Sequence, residues 1–307
     1  MTDMPGRPKT TSNRAATLRA EIPSLYADPY TRCPICYGNK IHPDFSLRSR
    51  SGLQLHWDKC HTCGFTFMNP RLVPEEMYKI YTTREYWETG YNNYLSGESI
   101  RLENAERRLN LCASYLPGKG RLLDLACATG FFAHVAASHG YDAIGVDLNA
   151  EMIDFGRERY GLDLRISTIE DCDFDLGSFD VISMWGLDCH FFDFRSTFAR
   201  IVGWLKPGGA ILFSYQDYAH WIRLIFSRIK QDENVYYNFT RDSFGRLMRQ
   251  LGMEIALQRT DVQIAEFHRV TRSLKLGSGM LSRFDSARIR IPTLSFLIVV
   301  AIKEELT

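Results

Sequence analysis

From residue 119 onward, short apolar runs alternate with stretches whose apolar residues recur every three to four positions. Residues 121–127 read as a strand and 131–139 as a helix stopped by Gly140. Residues 143–148 form a second strand, and Asn149 caps a helix that turns Met152, Ile153 and Tyr160 inward. Third and fourth strands follow at 164–167 and 179–185, then a helix with Phe194, Phe198, Ile201 and Leu205 on one face. A turn at Lys206-Pro207-Gly208-Gly209 leads into a fifth strand at 210–215. Strand–helix alternation of this kind predicts an α/β fold, a mostly parallel sheet with helices on both faces.

The flanks are less regular. Residues 1–28 are polar, with Pro5, Pro8 and Pro23, and read as a flexible tail. A compact, cysteine-bounded segment spans 29–73. Residues 74–118 form a helical linker or lid: Pro74 followed by Glu75 and Glu76 suits a helix start, and Ala105, Leu109, Cys112 and Leu116 share a face until Pro117-Gly118. The main domain runs over 119–307, with cap insertions near 217–239 and 263–292. Trp221, Ile222, Ile225, Phe226 and Ile229 predict an amphipathic helix in the first insertion. Thr240 caps another helix, with Phe244, Leu247, Met248 and Leu251 inward. A sixth strand is expected at 253–257, and the apolar run 294–302 closes the chain as a buried strand.

Composition narrows the function classes. The chain has 307 residues, 45% hydrophobic and 24% charged, enough for a core that needs no disulfides. A net charge of +1 argues against a protein that coats nucleic acid. Residues 268–290 do carry six Lys or Arg against one acid, a local patch that suits a solvated face or a substrate phosphate. No run reaches the ~18–20 apolar residues of a spanning helix, and the N-terminal stretch lacks the apolar core of a secretory signal. The cytoplasm is therefore the expected compartment, and a membrane is not an expected partner.

Eight cysteines need a reason in a reducing compartment. Cys33, Cys36, Cys60 and Cys63 make two Cys-x-x-Cys pairs. Thiolates two residues apart can grip one ion from a tight turn, and two such turns complete a tetrahedral sulfur site that favours zinc. Four protein ligands leave no open position for chemistry, so the metal is expected to be structural. The other reading is two pairs of buried or redox thiols.

The stretch Asp124-Leu125-Ala126-Cys127-Ala128-Thr129-Gly130 joins a strand to a helix through small residues, which let backbone approach a ligand. Asp147 ends the next strand, where a carboxylate can take both hydroxyls of a ribose. The loop lacks the G-x-G-x-x-G of a dinucleotide site and the Gly-Lys-Ser/Thr of a phosphate loop.

With Phe179-Asp180-Val181-Ile182 and Leu205-Lys206-Pro207-Gly208-Gly209 added, residues 119–260 and the final strand resemble the class I S-adenosylmethionine-dependent methyltransferases. Cys33-Pro34-Ile35-Cys36, Cys60-His61-Thr62-Cys63-Gly64-Phe65 and Met68-Asn69-Pro70-Arg71 look like the zinc ribbon of a bacterial subfamily whose members often modify sugars or secondary metabolites. The resemblance implies a Rossmann-like seven-stranded sheet whose last strand runs antiparallel, preceded by a small zinc ribbon. S-adenosyl-L-methionine is the implied cofactor. Asp124, Ala126 and Gly130 are expected to line its methionine–ribose side, Asp147 to bind the ribose, Leu148, Ile169 and Glu170 to border the adenine, and Met184 to lie near it. His190, at a position where relatives often read Glu-His, is the expected general base. Asp217 is a secondary candidate for holding substrate. Tyr81, Tyr86, Trp87, Tyr91 and Tyr94 suit a lid over a sulfonium or packing between ribbon and core.

Ala126 and Ala128 stand where the family more often has glycine. A negative φ at both leaves cofactor binding intact; a positive φ weakens it and points to a non-catalytic binding module. The implied reaction is methyl transfer to a small-molecule acceptor, a sugar or nucleotide sugar. A quinone or lipid head group and RNA are the rival acceptors.

Overall fold

The computed structural model describes residues 25–49, 52–83, 94–186, 191–220, 235–266 and 287–305. In chain order the strands are β1 (Ile41–Arg48), β2 (Gln54–Cys60), β3 (Thr66–Met68), β4 (Arg121–Leu125), β5 (Asp142–Asp147), β6 (Asp163–Ile166), β7 (Phe179–Met184), β8 (Leu205–Gln216), β9 (Tyr237–Asn238), β10 (Met253–Glu266) and β11 (Arg288–Lys303). The helices that matter for the site are α1 (Pro74–Lys79), α2 (Glu98–Cys112), α3 (Phe131–Ser138), α4 (Ala150–Tyr160), α5 (Phe194–Trp204) and α6 (Arg241–Gln250).

The principal sheet has seven strands in the order β10-β11-β8-β7-β4-β5-β6. From β6 to β8 every neighbouring pair is parallel, whereas β11 runs antiparallel to both β8 and β10. The central strands are buried along nearly their whole length, as strands covered on both faces must be. The strand order reverses at β4, between β5 and β7, so the crevice for a ligand opens at the carboxyl ends of these strands.

Local chemistry sets the helix ends. Asn149 Oδ1 accepts the Met152 N–H at 3.0 Å, and Thr240 Oγ1 accepts the Ser243 N–H at 3.1 Å while Ser243 Oγ takes the Thr240 N–H. Both caps fall where the sequence places them. Ala105, Leu109 and Cys112 are the buried face of α2, as their spacing predicts.

Three expectations need correction. Lys206–Gly209 is not a separate turn before a strand but part of β8. The ladder with β7 jumps from Phe179↔Leu205 to Val181↔Ala210, so these residues bulge out, with Gly208 at φ 73°. The sixth strand does not stop at 257, and the last does not begin at 294; β10 and β11 pair as far as Glu266↔Arg288. Their outer halves alternate polar and apolar residues instead of forming an apolar run, because that half of the hairpin has one solvated face. Arg288 and Arg290 of the basic patch therefore belong to β11, and Arg288 is ion-paired with Glu103 of α2 at 2.6 Å.

The cysteine-bounded segment is not closed on itself. Its sheet has the order β1-β2-β3-β9, and β9 is supplied from beyond residue 234. Phe65 packs with Tyr237 and Phe239 and stacks on Phe67, and Phe239 in turn packs on Phe194 and Phe244, so one hydrophobic core runs from Cys33 to Ala301. No helix among the described residues is long and apolar enough to cross a membrane.

His190, the aromatic residues Tyr86, Trp87 and Tyr91, the helix expected within 221–230, residues 268–286 of the basic stretch and the tail as far as 24 lie outside the described residues.

Candidate functional site

The crevice is built first from backbone. After β4 the chain makes three left-handed turns at alternate residues: Ala126 at φ 53°, Ala128 at φ 51° and Gly130 at φ 75°. Alanine rarely adopts this conformation, and each costs ~1–2 kcal/mol. The positive φ at both alanines is thus the less favourable of the two expected outcomes. What holds the loop is β5: Asp147 Oδ2 accepts the Ala128 N–H at 2.8 Å, and the Cys127 N–H donates to the Val146 carbonyl at 3.0 Å. Below it lies Gly156 of α4, where any Cβ runs into the carbonyl oxygen of Thr129. Gly156 is not among the site residues expected from sequence. A glycine inside an otherwise good helical pattern was its signal, because such a residue costs ~1 kcal/mol unless close packing requires it.

Two acids face this loop. Asp124, 2% exposed, accepts a hydrogen bond from Ser183 Oγ at 2.6 Å. Burial, reinforced by the nearby Asp147, pushes its carboxyl up to about 7. Asp147 is also buried, and burial raises it despite the N–H groups of Asn149 and Ala128 that favour its charged form. Among the described residues neither acid forms an ion pair. Two buried carboxylates at the ends of adjacent strands without a cation suit a positively charged ligand. The donors and acceptors therefore fit S-adenosylmethionine, which carries a sulfonium and an ammonium.

The remaining candidates surround them. Leu148 is half-buried, just past Asp147. Ile169 and Glu170 lie in the turn after β6, where Arg200 Nη2 of α5 donates to both of their carbonyls, at 2.6 and 2.7 Å. Glu170 Oε1 accepts the N–H of Phe192 at 3.3 Å. Met184 is fully buried at the end of β7, between Leu125 of β4 and Phe213 of β8. Of the expected lid aromatics, Tyr81 accepts a hydrogen bond from Asn149 Nδ2 on its carbonyl at 3.0 Å. Tyr94 stacks on Phe131 at the start of α3, and the Arg101 guanidinium lies over the Tyr94 ring, 3.8 Å from its centroid. Asp217 is buried, ion-paired with Arg241 at 3.0 Å and bonded to the Ala219 N–H at 3.1 Å. One of its oxygens ties α6 to the end of β8, and the other closes a local turn.

The four cysteines converge as their spacing predicts. Cys33 and Cys63 sulfurs stand 3.7 Å apart, Cys36 and Cys60 sulfurs 3.6 Å apart, and all four ligand atoms lie within 4.8 Å of one another. A tetrahedron of sulfurs ~2.3 Å from a central zinc has edges of about 3.8 Å, so the arrangement suits that ion. The Ile35 N–H points at Cys33 Sγ at 3.4 Å. Burial acts to raise the Cys60 thiol, but the N–H groups of Cys63 and Thr62 and the neighbouring thiols outweigh it and bring it below its ordinary value.

Comparison with known proteins places this geometry. Residues 98–258 match the family described as methyltransferase domain. YqeM of Bacillus subtilis, named as a methyltransferase, is 35% identical over 107 residues, covering 32% of this chain and 43% of that protein. Phosphoethanolamine N-methyltransferase 3 of Arabidopsis thaliana is 29% identical over 165 residues, covering 47% of this chain and 31% of its own length. The chain thus spans less than half of either relative. Among solved structures, Haemonchus contortus phosphoethanolamine N-methyltransferase 2, in complex with phosphomonomethylethanolamine and S-adenosylhomocysteine, superposes with a TM-score of 0.51 at 18% identity, covering 85% of this chain and 71% of that one.

Proposed function

This chain belongs to the methyltransferase-domain family, and on that premise we propose that it transfers a methyl group from S-adenosylmethionine to a small-molecule acceptor, a sugar or nucleotide sugar. Family membership supports methyl transfer as the reaction class, over the non-catalytic module to which a positive φ at Ala126 and Ala128 pointed. The observation that carries the cofactor reading is the pair of buried acids, Asp124 and Asp147, standing without a cation beside a loop of left-handed turns.

S-adenosylmethionine, when bound, supplies an electrophilic methyl carbon on a sulfonium. Asp147, its carboxylate oriented by backbone N–H groups, takes the ribose hydroxyls. Asp124 compensates the positive charge of the methionine end. Leu148, Ile169 and Glu170 close the adenine side. His190 removes the proton of an acceptor hydroxyl, and the protein otherwise acts by placing the nucleophile ~3–3.5 Å from the methyl carbon. Cys33, Cys36, Cys60 and Cys63 hold a structural zinc.

A sugar acceptor follows from the resemblance of the front segment to a sugar-modifying subfamily. A phosphate-bearing head group is the second reading, favoured by the names of the phosphoethanolamine relatives. The deciding experiment supplies labelled S-adenosylmethionine with nucleotide sugars, free sugars, phosphoethanolamine and quinols. Label in the sugars supports the first reading, and label in the amine the second. An enzyme that fails to bind S-adenosylmethionine in a calorimeter sinks both.

A further inference from the structure

Phe192 lies two residues beyond His190 and opens the described chain past the carboxyl end of β7 together with Phe191. Its peptide groups are held from three directions. The N–H donates to Glu170 Oε1 on the cofactor side. The carbonyl accepts Tyr237 Oη at 2.6 Å and Arg71 Nη1 at 3.0 Å. Tyr237 belongs to β9 and Arg71 follows β3, so both donors come from the sheet that the four cysteines clip.

Arg71 is built for this contact. Its guanidinium sits between the ring of Tyr30, 4.0 Å from the centroid, and the ring of Phe192, 4.3 Å away. Nη1 also donates to the Tyr30 hydroxyl. Tyr30 is fixed in turn, since its N–H and carbonyl both bond the Asn69 amide, at 2.8 and 3.0 Å, and Asn69 Nδ2 reaches Asp58 of β2 at 2.6 Å. A planar cation held close to two aromatic rings and bonded to the Tyr30 hydroxyl has little rotational freedom, so the direction of its N–H groups is restricted. A second tie runs parallel. Arg195, in the first turn of α5, donates to the carbonyl of Ile35 between the first two cysteines at 3.0 Å.

We propose that Arg71 is a positioning residue for the acceptor side of the site: by holding the carbonyl of Phe192 it fixes the backbone at Phe191–Asp193, next to the carboxyl end of the sheet. The cysteine-bounded sheet then has a task beyond its own stability. It is the fixed body against which Phe192 is placed, while Glu170 ties the same residue to the cofactor turn. The inference rests on reading that edge as the acceptor side, and the tests of the two come apart. Failure of the unaltered protein to bind S-adenosylhomocysteine sinks the functional reading, whereas the exchange experiment bears on Arg71.

That experiment uses the full chain with its metal as purified, in unaltered form and as Arg71→Ala, Arg71→Lys and Tyr237→Phe. Tyr237→Phe removes one hydroxyl from a buried ring and is the variant least able to disturb folding. Amide hydrogen exchange is followed by mass spectrometry, S-adenosylhomocysteine affinity by calorimetry and metal content by atomic absorption. Arg71→Ala is expected to speed exchange at Phe191–Asp193 by about tenfold or more, with metal content unchanged and S-adenosylhomocysteine affinity altered by less than about threefold. Tyr237→Phe gives a smaller increase at the same amides. Arg71→Lys, which keeps the charge without the planar fork, restores protection in part, and millimolar guanidinium restores it in Arg71→Ala. Unchanged exchange at Phe191–Asp193, or acceleration spread evenly over the chain, overturns the proposal.

Discussion

Asp147 Oδ2 accepts the backbone N–H of Ala128 at 2.8 Å, so the carboxylate that ends β5 also fixes the loop that follows β4. Its other oxygen takes the Asn149 N–H at 2.9 Å. Asp147→Ala strands both N–H groups in a buried site, at ~1–3 kcal/mol each. We expect S-adenosylhomocysteine affinity to fall at least about thirtyfold, with Asp147→Asn losing less because an amide oxygen replaces one of the two acceptors. Titration calorimetry reads the difference, and equal losses for both variants would show that the loop does not depend on these bonds.

Ala126 and Ala128 hold left-handed conformations that glycine adopts freely. Ala126→Gly and Ala128→Gly should each relieve about 1 kcal/mol, less the entropy that glycine adds to the unfolded chain. A rise in Tm of ~2–4 °C per site is expected by scanning calorimetry. A fall would mean that the methyl groups pack more favourably than the backbone is strained.

The Asp124 carboxyl, pushed up to about 7 by burial, holds its proton more tightly in the folded protein than in the unfolded chain. Its contribution to stability is therefore complete below the unfolded value of 3.8 and is lost as pH rises to about 7. A cationic ligand works in the other direction, since it draws the group to its charged form. Affinity for S-adenosylmethionine should rise between about pH 6 and 8, with proton release seen as a buffer-dependent heat. Asp124→Asn should flatten that profile. A profile that keeps its slope in the variant would assign the proton elsewhere.

If zinc fills the cysteine site, as proposed, Trp57 reports its loss. Trp57 is fully buried in the core that contains Cys33, Cys60 and Cys63, and its Nε1 donates to the Val235 carbonyl at 3.0 Å. Chelation, or Cys63→Ser, should shift tryptophan emission to the red and lower stability by several kcal/mol. The unaltered protein should carry one zinc per chain. A metal-free protein of unchanged Tm would return the four thiols to a redox or purely buried role.

Asp261, on β10, is buried and receives both Arg107 and Arg108 from α2. Burial works to raise its carboxyl, but the two guanidinium groups outweigh that and hold it below the usual range. Its stabilising contribution is thus present above the unfolded value and disappears as pH falls through the lower folded one. Asp261→Ala leaves two partly buried arginines without their acid and should cost ~3–5 kcal/mol in denaturant unfolding. A loss under about 1 kcal/mol would place the pair at the level of an exposed surface bridge.

What the sequence made legible was whatever local chemistry specifies. Asn149 and Thr240 cap helices because their oxygens reach N–H groups three residues on, a relation contained within one turn. The four sulfurs converge because two tight turns and one hairpin suffice to bring them together. Arg71, Phe192 and Tyr237 meet only after the chain has folded, and nothing near any of them in sequence signals the others. The same holds for Asp261, which read as one polar residue in an unremarked stretch until α2 supplied its partners. The outer part of the β10–β11 hairpin is not legible as strand because it alternates polar and apolar residues instead of forming an apolar run.

The two-residue strand β9 has a consequence for how the protein is made. Trp57 and Val235, joined by a hydrogen bond, stand 178 positions apart, and the last strand of the cysteine-clipped sheet comes from the same late stretch. On a ribosome the first three strands emerge long before the fourth exists. The thiols can gather early, but Phe65 and Phe67 keep an apolar face open to chaperones until residues 237–239 have been synthesised. The N-terminal sheet is therefore among the first parts to take shape and among the last to be finished, and truncations that end before β9 should yield an insoluble product even with metal supplied.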